Sequence, residues 1–244
     1  ASLFTESAEA YDTHKVEKVY LWDREETPEK TVLLAELSQF AGTDVLWYSD
    51  DQITVNGVES LPLVLAAPSS EASFEFESVL TAPYTAVIPS SIIKDETTVT
   101  LPAVQESVEY PMIASSATEE LIFYHACAAV KLDITSSDNV ISYVEFSGNA
   151  SEQVCGDFTV NFTDCTIVGT GANDANTTVK VNVGKANPGV ISIVVPEGSY
   201  SAGFTVKVVD SEETVMTIAV DAAELVAGAV HEIPASAFVP DVKI

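Results

Sequence analysis

The stretch Val190-Ile191-Ser192-Ile193-Val194-Val195-Pro196-Glu197-Gly198-Ser199-Tyr200-Ser201-Ala202-Gly203-Phe204-Thr205-Val206-Lys207-Val208 decides the fold class. Its first six residues form an apolar, β-branched run closed by a proline, which suits a buried strand and its end. Glu197-Gly198 then favours a tight reversal. From Phe204 onward the pattern changes to strict alternation, with Phe204, Val206 and Val208 on one side and Thr205 and Lys207 on the other. Period-two alternation puts one face on a core and leaves the other wet.

The same signal recurs outward in both directions. Phe74 and Phe76 alternate with Ser73, Glu75 and Glu77; Phe158, Val160 and Phe162 alternate with Thr159, Asn161 and Thr163; Val179, Val181 and Val183 alternate with Thr178, Lys180 and Asn182. Continuous apolar runs at Leu61 to Ala66 and Ala126 to Ile134 read as strands buried on both faces. Turn residues separate these segments at Asn56-Gly57, Ser137-Asp138-Asn139, Gly148-Asn149, Asn173 to Asn176 and Asn187-Pro188-Gly189. Helical signals are weak: residues 31–40 fit either a short amphipathic helix or a strand, and residues 222–227 suit one turn. Short strands with frequent turns predict an all-β protein of β-sandwich type. The polar and small residues between Leu101 and Glu120 suggest two domains, 1–115 and 116–244.

The 244 residues carry 10 basic and 37 acidic side chains, a net charge of −27, with 47% apolar residues. That is too apolar for an acidic disordered tail. One arginine, Arg24, and nine lysines cannot neutralise a phosphate backbone, which argues against a nucleic-acid partner, and an anionic membrane surface is disfavoured for the same reason. No apolar run approaches the ~18 residues of a membrane-spanning helix. The acidic side chains at Glu75, Glu77, Glu145, Glu212 and Glu213 fall on wet strand faces or in loops, where they keep strand edges from pairing indiscriminately.

Chemistry-bearing patterns are sparse. The histidines are His14, His125 and His231, and His125 heads an apolar strand, as structural histidines do. Gly169-Thr170-Gly171 lacks the third glycine and the following helix of a dinucleotide loop. Asp50-Asp51 follows Trp47-Tyr48, an arrangement that a glycosidase or a sugar platform would use, but the position before residues 52–56 also suits a hairpin turn. Cys127 reads as a small buried hydrophobe, while Cys155 and Cys165 lie close enough in sequence for a hairpin to join them. No spacing matches a zinc or calcium site, and no metal, cofactor or catalytic residue is expected. The sequons at Asn149, Asn161 and Asn176 matter only on a eukaryotic secretory route.

Several segments resemble a known family, the fimbrillin-like (type V) pilins and surface proteins of anaerobic Gram-negative gut and oral bacteria. They are Thr100-Leu101-Pro102-Ala103-Val104-Gln105 followed by Pro111-Met112-Ile113-Ala114, the strand Leu121-Ile122-Phe123-Tyr124-His125-Ala126-Cys127-Ala128-Ala129-Val130-Lys131-Leu132, Ser142-Tyr143-Val144-Glu145-Phe146-Ser147-Gly148-Asn149, and Val194 to Val206. Looser matches are Trp47 with Ile53-Thr54-Val55-Asn56-Gly57, and Leu80 to Pro89; Asp50 stands where the family has glycine. The resemblance implies two tandem antiparallel β-sandwich (transthyretin-like) domains. It also implies an exported lipoprotein with its leader and lipid-bearing cysteine removed upstream of Ala1, held at the outer membrane or in a fimbria. Its expected role is structural and adhesive, as a pilus subunit or as an accessory tip or anchor protein. Its partners would be other pilin subunits, met by strand exchange, and a surface glycan or protein ligand. A carbohydrate-binding surface lipoprotein is the alternative, and a glycoside hydrolase a more distant one. Related fimbrillins lose an N-terminal strand by proteolysis. By that resemblance Arg24, in the loop Asp23 to Lys30, is the candidate cleavage site, and Val19, Leu21 and Trp22 belong to the candidate displaced strand. The same loop also reads as an ordinary exposed hairpin connection.

Overall fold

The computed structural model describes residues 30–241. Strands β1 (Thr31–Leu37), β2 (Thr54–Val55), β3 (Val58–Glu59), β4 (Glu71–Phe76), β5 (Tyr84–Ile88), β6 (Ile93–Asp95), β7 (Thr98–Leu101), β8 (Val104–Gln105), β9 (Met112–Ser116) and β10 (Glu120–His125) come first. They are followed by β11 (Cys127–Thr135), β12 (Ile141–Gly148), β13 (Gly156–Asn161), β14 (Thr166–Gly169), β15 (Thr178–Lys185), β16 (Gly189–Pro196), β17 (Gly198–Tyr200), β18 (Phe204–Asp210), β19 (Val215–Val220), β20 (Ala223–Leu225) and β21 (Val230–Ala237). The protein is all-β, with sandwich-like layers. The alternating segment 204–208 is β18, whose Phe204, Val206 and Val208 are fully buried.

A seven-stranded sheet runs β3-β2-β5-β9-β10-β1-β4. Its inner face carries Leu33, Ala35, Phe74, Phe76, Leu121 and Phe123, and Trp47, from the chain between β1 and β2, joins them in one apolar core. A second core fills the space between the sheet β16-β11-β21 and the sheet β19-β18-β12-β15-β8, with Val130, Leu132, Phe146, Ile193, Phe204 and Ile233 among its members. A third core joins them. Val87 and Ile113, on the reverse face of the first sheet, pack with Val99, Phe158, Cys127 and Val194. That contact explains the two kinds of pattern in the sequence. Strands β5 and β9 are covered on both faces and bury successive residues, whereas β4 and β10 are covered on one face and alternate. Most pairings are antiparallel; β1 with β10, β11 with β21 and β15 with β8 are parallel.

Four sequence expectations need correction or refinement. Residues 31–37 are a strand and not a helix, because Leu33 and Ala35 point into the core while β4 and β10 pair on either side. Residues 61–66 are not a buried strand: they run over the sheet as irregular chain, and Val64 is 93% exposed. Residues 223–225 form β20, paired with β17, in place of a helical turn. The expected division at 115/116 falls within β9, and Ser115 to Thr118 is the tip of the β9–β10 hairpin, with Thr118 N–H donating to Ser116 Oγ. Both hairpin strands belong to the first sheet, which the chain leaves at Ala126. In the opposite sense, β7 pairs with β13 and β8 with β15, so residues 98–105 reach forward into the sheets of the second half.

Candidate functional site

A β-layered protein interacts through faces and through strand edges, and edges carry backbone groups that seek partners. The most open edge among the described residues belongs to β4. Leu37 N–H donates to the Ser70 carbonyl, which fixes the register: Ala72, Phe74 and Phe76 bond toward β1, while Glu71, Ser73 and Glu75 turn their backbone groups outward. The Glu75 carbonyl accepts from Leu61 N–H at 2.8 Å, and Glu71 N–H donates to Ser69 Oγ at 3.2 Å. The backbone groups of Ser73 and the N–H of Glu75 have no partner among the described residues.

Beside this edge lies a groove of about 750 Å³. Its apolar wall comes from Leu34, Leu61, Pro62, Val64 and Leu65, and its acidic lip from Glu71 and Glu75. The irregular course of 61–65 builds that wall, held by Leu63 N–H to the Asp51 carbonyl and by Leu65 N–H to Ser49 Oγ. Lys30 Nζ lies 3.6 Å from Glu75 Oε2, so the described chain begins at the lip of the groove. Arg24, Val19, Leu21, Trp22 and His14 lie outside the described residues.

The other long edges are occupied or interrupted. On β19, Asp241 N–H donates to the Val215 carbonyl and Thr217 Oγ1 donates to Asp241 Oδ2 at 2.6 Å, while Phe238 inserts into the second core. The C-terminal stretch therefore closes its own sandwich over the described residues. On β21, Pro234 lacks an N–H at a register irregularity opposite β11. On β16, the Gln105 side chain bonds both backbone groups of Val194.

The sequence candidates for chemistry take structural places. Trp47 is 4% exposed, packed edge-on against Phe74 and Phe123, and its indole N–H donates to the Ala35 carbonyl, so it offers no open ring face. Asp50 adopts a left-handed φ of 73°, and Asp51 Oδ2 accepts from Tyr48 N–H at 2.7 Å, so the pair forms a turn. His125 is buried between Phe40 and Tyr110, and burial lowers its pKa. The three cysteines are unpaired; Cys155 Sγ donates to the Thr178 carbonyl at 3.2 Å. Asn176 is buried and holds its own turn by bonds to Gly171 and Asn173. Among the described residues no group of His, Cys, Asp and Glu is arranged to hold a metal, and no helix is long and apolar enough to cross a membrane. The groove itself escaped sequence reading, because the run 61–66 looked like a buried strand.

No protein-family model matches the chain, and no curated protein matches it significantly. Solved structures do. One is a candidate cell adhesion protein from Bacteroides ovatus, with a TM-score of 0.55 and 13% identity over 84% of this chain and 91% of that one. Another is a candidate cell adhesion protein from Bacteroides uniformis, with a TM-score of 0.52 and 16% identity over 86% of this chain and 94% of that one. At these identities the likeness establishes a shared fold across most of both chains.

Proposed function

We propose that this protein is a fimbrillin-like cell-surface adhesion protein, a structural subunit or accessory of a fimbria, and that the β4 groove is where it accepts an extended strand. The observation that carries the reading is that the Ser73 backbone groups and the Glu75 N–H have no partner among the described residues and lie beside a groove with an apolar wall, because strand addition needs both features: backbone groups for affinity and pockets for side chains. The shared fold with candidate adhesion proteins and the fimbrillin-type segments at 101–114, 123–132 and 194–206 support it.

In the uncleaved chain the occupant is the protein's own segment 16–22, with Val19, Leu21 and Trp22 supplying side chains. The position of Lys30, 3.6 Å from Glu75 at the lip of the groove, supports this reading. Cleavage after Arg24 frees the groove, and a strand from another subunit replaces the segment. In this reading membrane attachment is through a lipid anchor, and the adhesive ligand is a surface glycan or protein. The packed faces of Trp47 argue against that residue as a sugar platform.

The test is to treat the folded protein with an Arg-specific protease, sequence the new N-terminus and follow particle size. The expected result is an N-terminus at Glu25 and growth into oligomers, inhibited by excess Val16–Trp22 peptide and abolished in Ser73→Pro. A folded protein that resists cleavage, or a cleaved one that ignores both the peptide and the proline, refutes the assignment.

A further inference from the structure

The buried side chain of Gln105 performs an unusual contact. Its Nε2 donates to the Val194 carbonyl at 2.6 Å, and its Oε1 accepts from Val194 N–H at 3.0 Å. A side-chain amide thereby makes the same two bonds that a neighbouring strand would make to one residue. The pairing scheme shows which edge it covers. Ala129 N–H donates to the Ala229 carbonyl, toward β21, so Ala129 and its antiparallel partner Val194 form a pair whose backbone groups point away from each other. By the same parity Val190, Ser192, Val194 and Pro196 present their backbones to the free side of β16. Pro196 has no N–H, and its carbonyl accepts from Tyr200 Oη at 3.3 Å. With Val194 bonded to Gln105, the outward groups of Val190 and Ser192 are what remain among the described residues.

From this geometry we infer that Gln105 is a specificity-determining residue for strand exchange: it acts as a one-residue surrogate strand that closes β16 to the extended segment of a second copy and leaves the β4 groove as the accepting edge. The inference rests on the strand-accepting role proposed for β4, but it concerns a different edge and is tested separately. Uncapped, β16 would offer three consecutive outward positions, Val190, Ser192 and Val194, on a strand whose exposed Val190 lends apolar surface. Gln105 suits this duty because it is anchored. It lies on β8, paired in parallel with β15 of the opposing sheet, so its side chain spans from one layer of the sandwich to the edge of the other. A strand approaching β16 must break both amide bonds and would leave a buried amide unpaired.

The test uses two measurements on the full chain. In the unmodified protein, hydrogen exchange at Val194 N–H should be about a hundredfold or more slower than at Ser192 N–H, the neighbouring outward group, because Val194 alone is bonded. Equal rates overturn the inference without any variant. For the second, Ser192→Cys is placed in a Cys165→Ser background, with and without Gln105→Leu, and each protein is mildly oxidised without Arg24 cleavage. The expected result is a covalent dimer through position 192 only when Gln105 is replaced. Dimers in both proteins, or in neither while circular dichroism shows Gln105→Leu folded, overturn it. If Gln105→Leu does not fold, Gln105→Glu serves the same comparison, since it keeps the acceptor for Val194 N–H and loses the donor. Failure at β4 would show in the cleavage experiment and not here, so the two readings fall independently.

Discussion

His125 Nε2 lies 3.3 Å from the Ser38 carbonyl, while His125 Nδ1 is buried with no hydrogen-bond partner. The pair fastens the end of β10 to the loop after β1, and Gly228 packs against the same ring. An Nε2–H neutral tautomer fits this arrangement; an imidazolium would add an Nδ1–H with nothing to receive it.

This contact predicts an acid-sensitive component of stability. Burial holds the pKa of His125 below its ordinary value, against a weaker opposing pull from the Ser38 carbonyl. The unfolded chain takes up a proton as pH falls through about 6.5, and the folded chain resists it, so this contribution is lost as pH drops below that point. The limiting slope is about 1.4 kcal/mol per pH unit. Asp51, Glu109 and Tyr110 line the same cleft and set the background. Urea unfolding at pH 7.5 and 5.5 should show the natural protein losing more stability than His125→Gln. Parallel losses would remove His125 as the cause.

Gly203 is fixed by backbone geometry. Its φ is +75°, and a Cβ there would sit 2.1 Å from the Val220 carbonyl oxygen, a backbone atom that cannot move aside. Gly203→Ala should cost about 3 kcal/mol or more. Gly42 has a similar φ of +77° with nothing within 4 Å, so Gly42→Ala should cost only about 1 kcal/mol. Thermal unfolding of the two variants checks the order; a mild Gly203→Ala would mean that the strand pair β18–β19 yields more than its register implies.

The two glycines also mark the limit of what sequence could say. Local chemistry was legible: the alternation of 204–208, the Asn56-Gly57 reversal, and the turn at Asp50-Asp51 all follow from residue type and period. Asn56 shows the fit, with φ of 51° and its amide bonded to the Thr81 and Pro83 carbonyls. What sequence could not provide were relationships between distant segments. Pro62 is the local sign against a central strand at 61–65, but its apolar composition otherwise matches that of the buried run 126–134; the larger difference is whether a second layer lies above, since Val64 is exposed while only Leu63 of the run is buried. Gln105 looked like part of a polar connection because its partner, Val194, is 89 residues away. The β9–β10 hairpin resembled a linker because its tip, Ser115 to Thr118, is polar.

The cysteines give a chemical test of the pairing. Cys127 is completely buried and its thiol is pushed far above the ordinary range; burial also raises Cys155 and, with its thiol half-covered, Cys165. Thiolate is the reactive form, so a thiol reagent should modify Cys165 first and Cys127 only after unfolding. Non-reducing mass analysis should find three free thiols. A native Cys155–Cys165 disulfide would contradict the arrangement in which Cys155 Sγ faces the Thr178 carbonyl.

Asp210 is 2% exposed and closes the β18–β19 connection. Its Oδ1 accepts from Glu212 N–H and Thr214 N–H at 3.0 and 2.8 Å, and its Oδ2 accepts from Asn139 Nδ2 and Thr214 Oγ1, each at 2.6 Å. Burial works to raise the pKa, but the bonds from Thr214, Asn139 and Glu212 outweigh it and the carboxylate is held below its usual range. Stability from this group is therefore present above the unfolded carboxylate pKa of about 3.9 and is lost as pH falls through the folded value. Asp210→Asn exchanges one acceptor for a donor facing the Asn139 amide, and should cost about 2–3 kcal/mol at neutral pH. The gap between the natural protein and the variant should narrow as pH falls below the unfolded carboxylate pKa of about 3.9 and on through the lower folded value, where the natural side chain itself takes up a proton. A gap that persists unchanged into acid would show that shape, and not charge, is what Asp210 contributes to the turn.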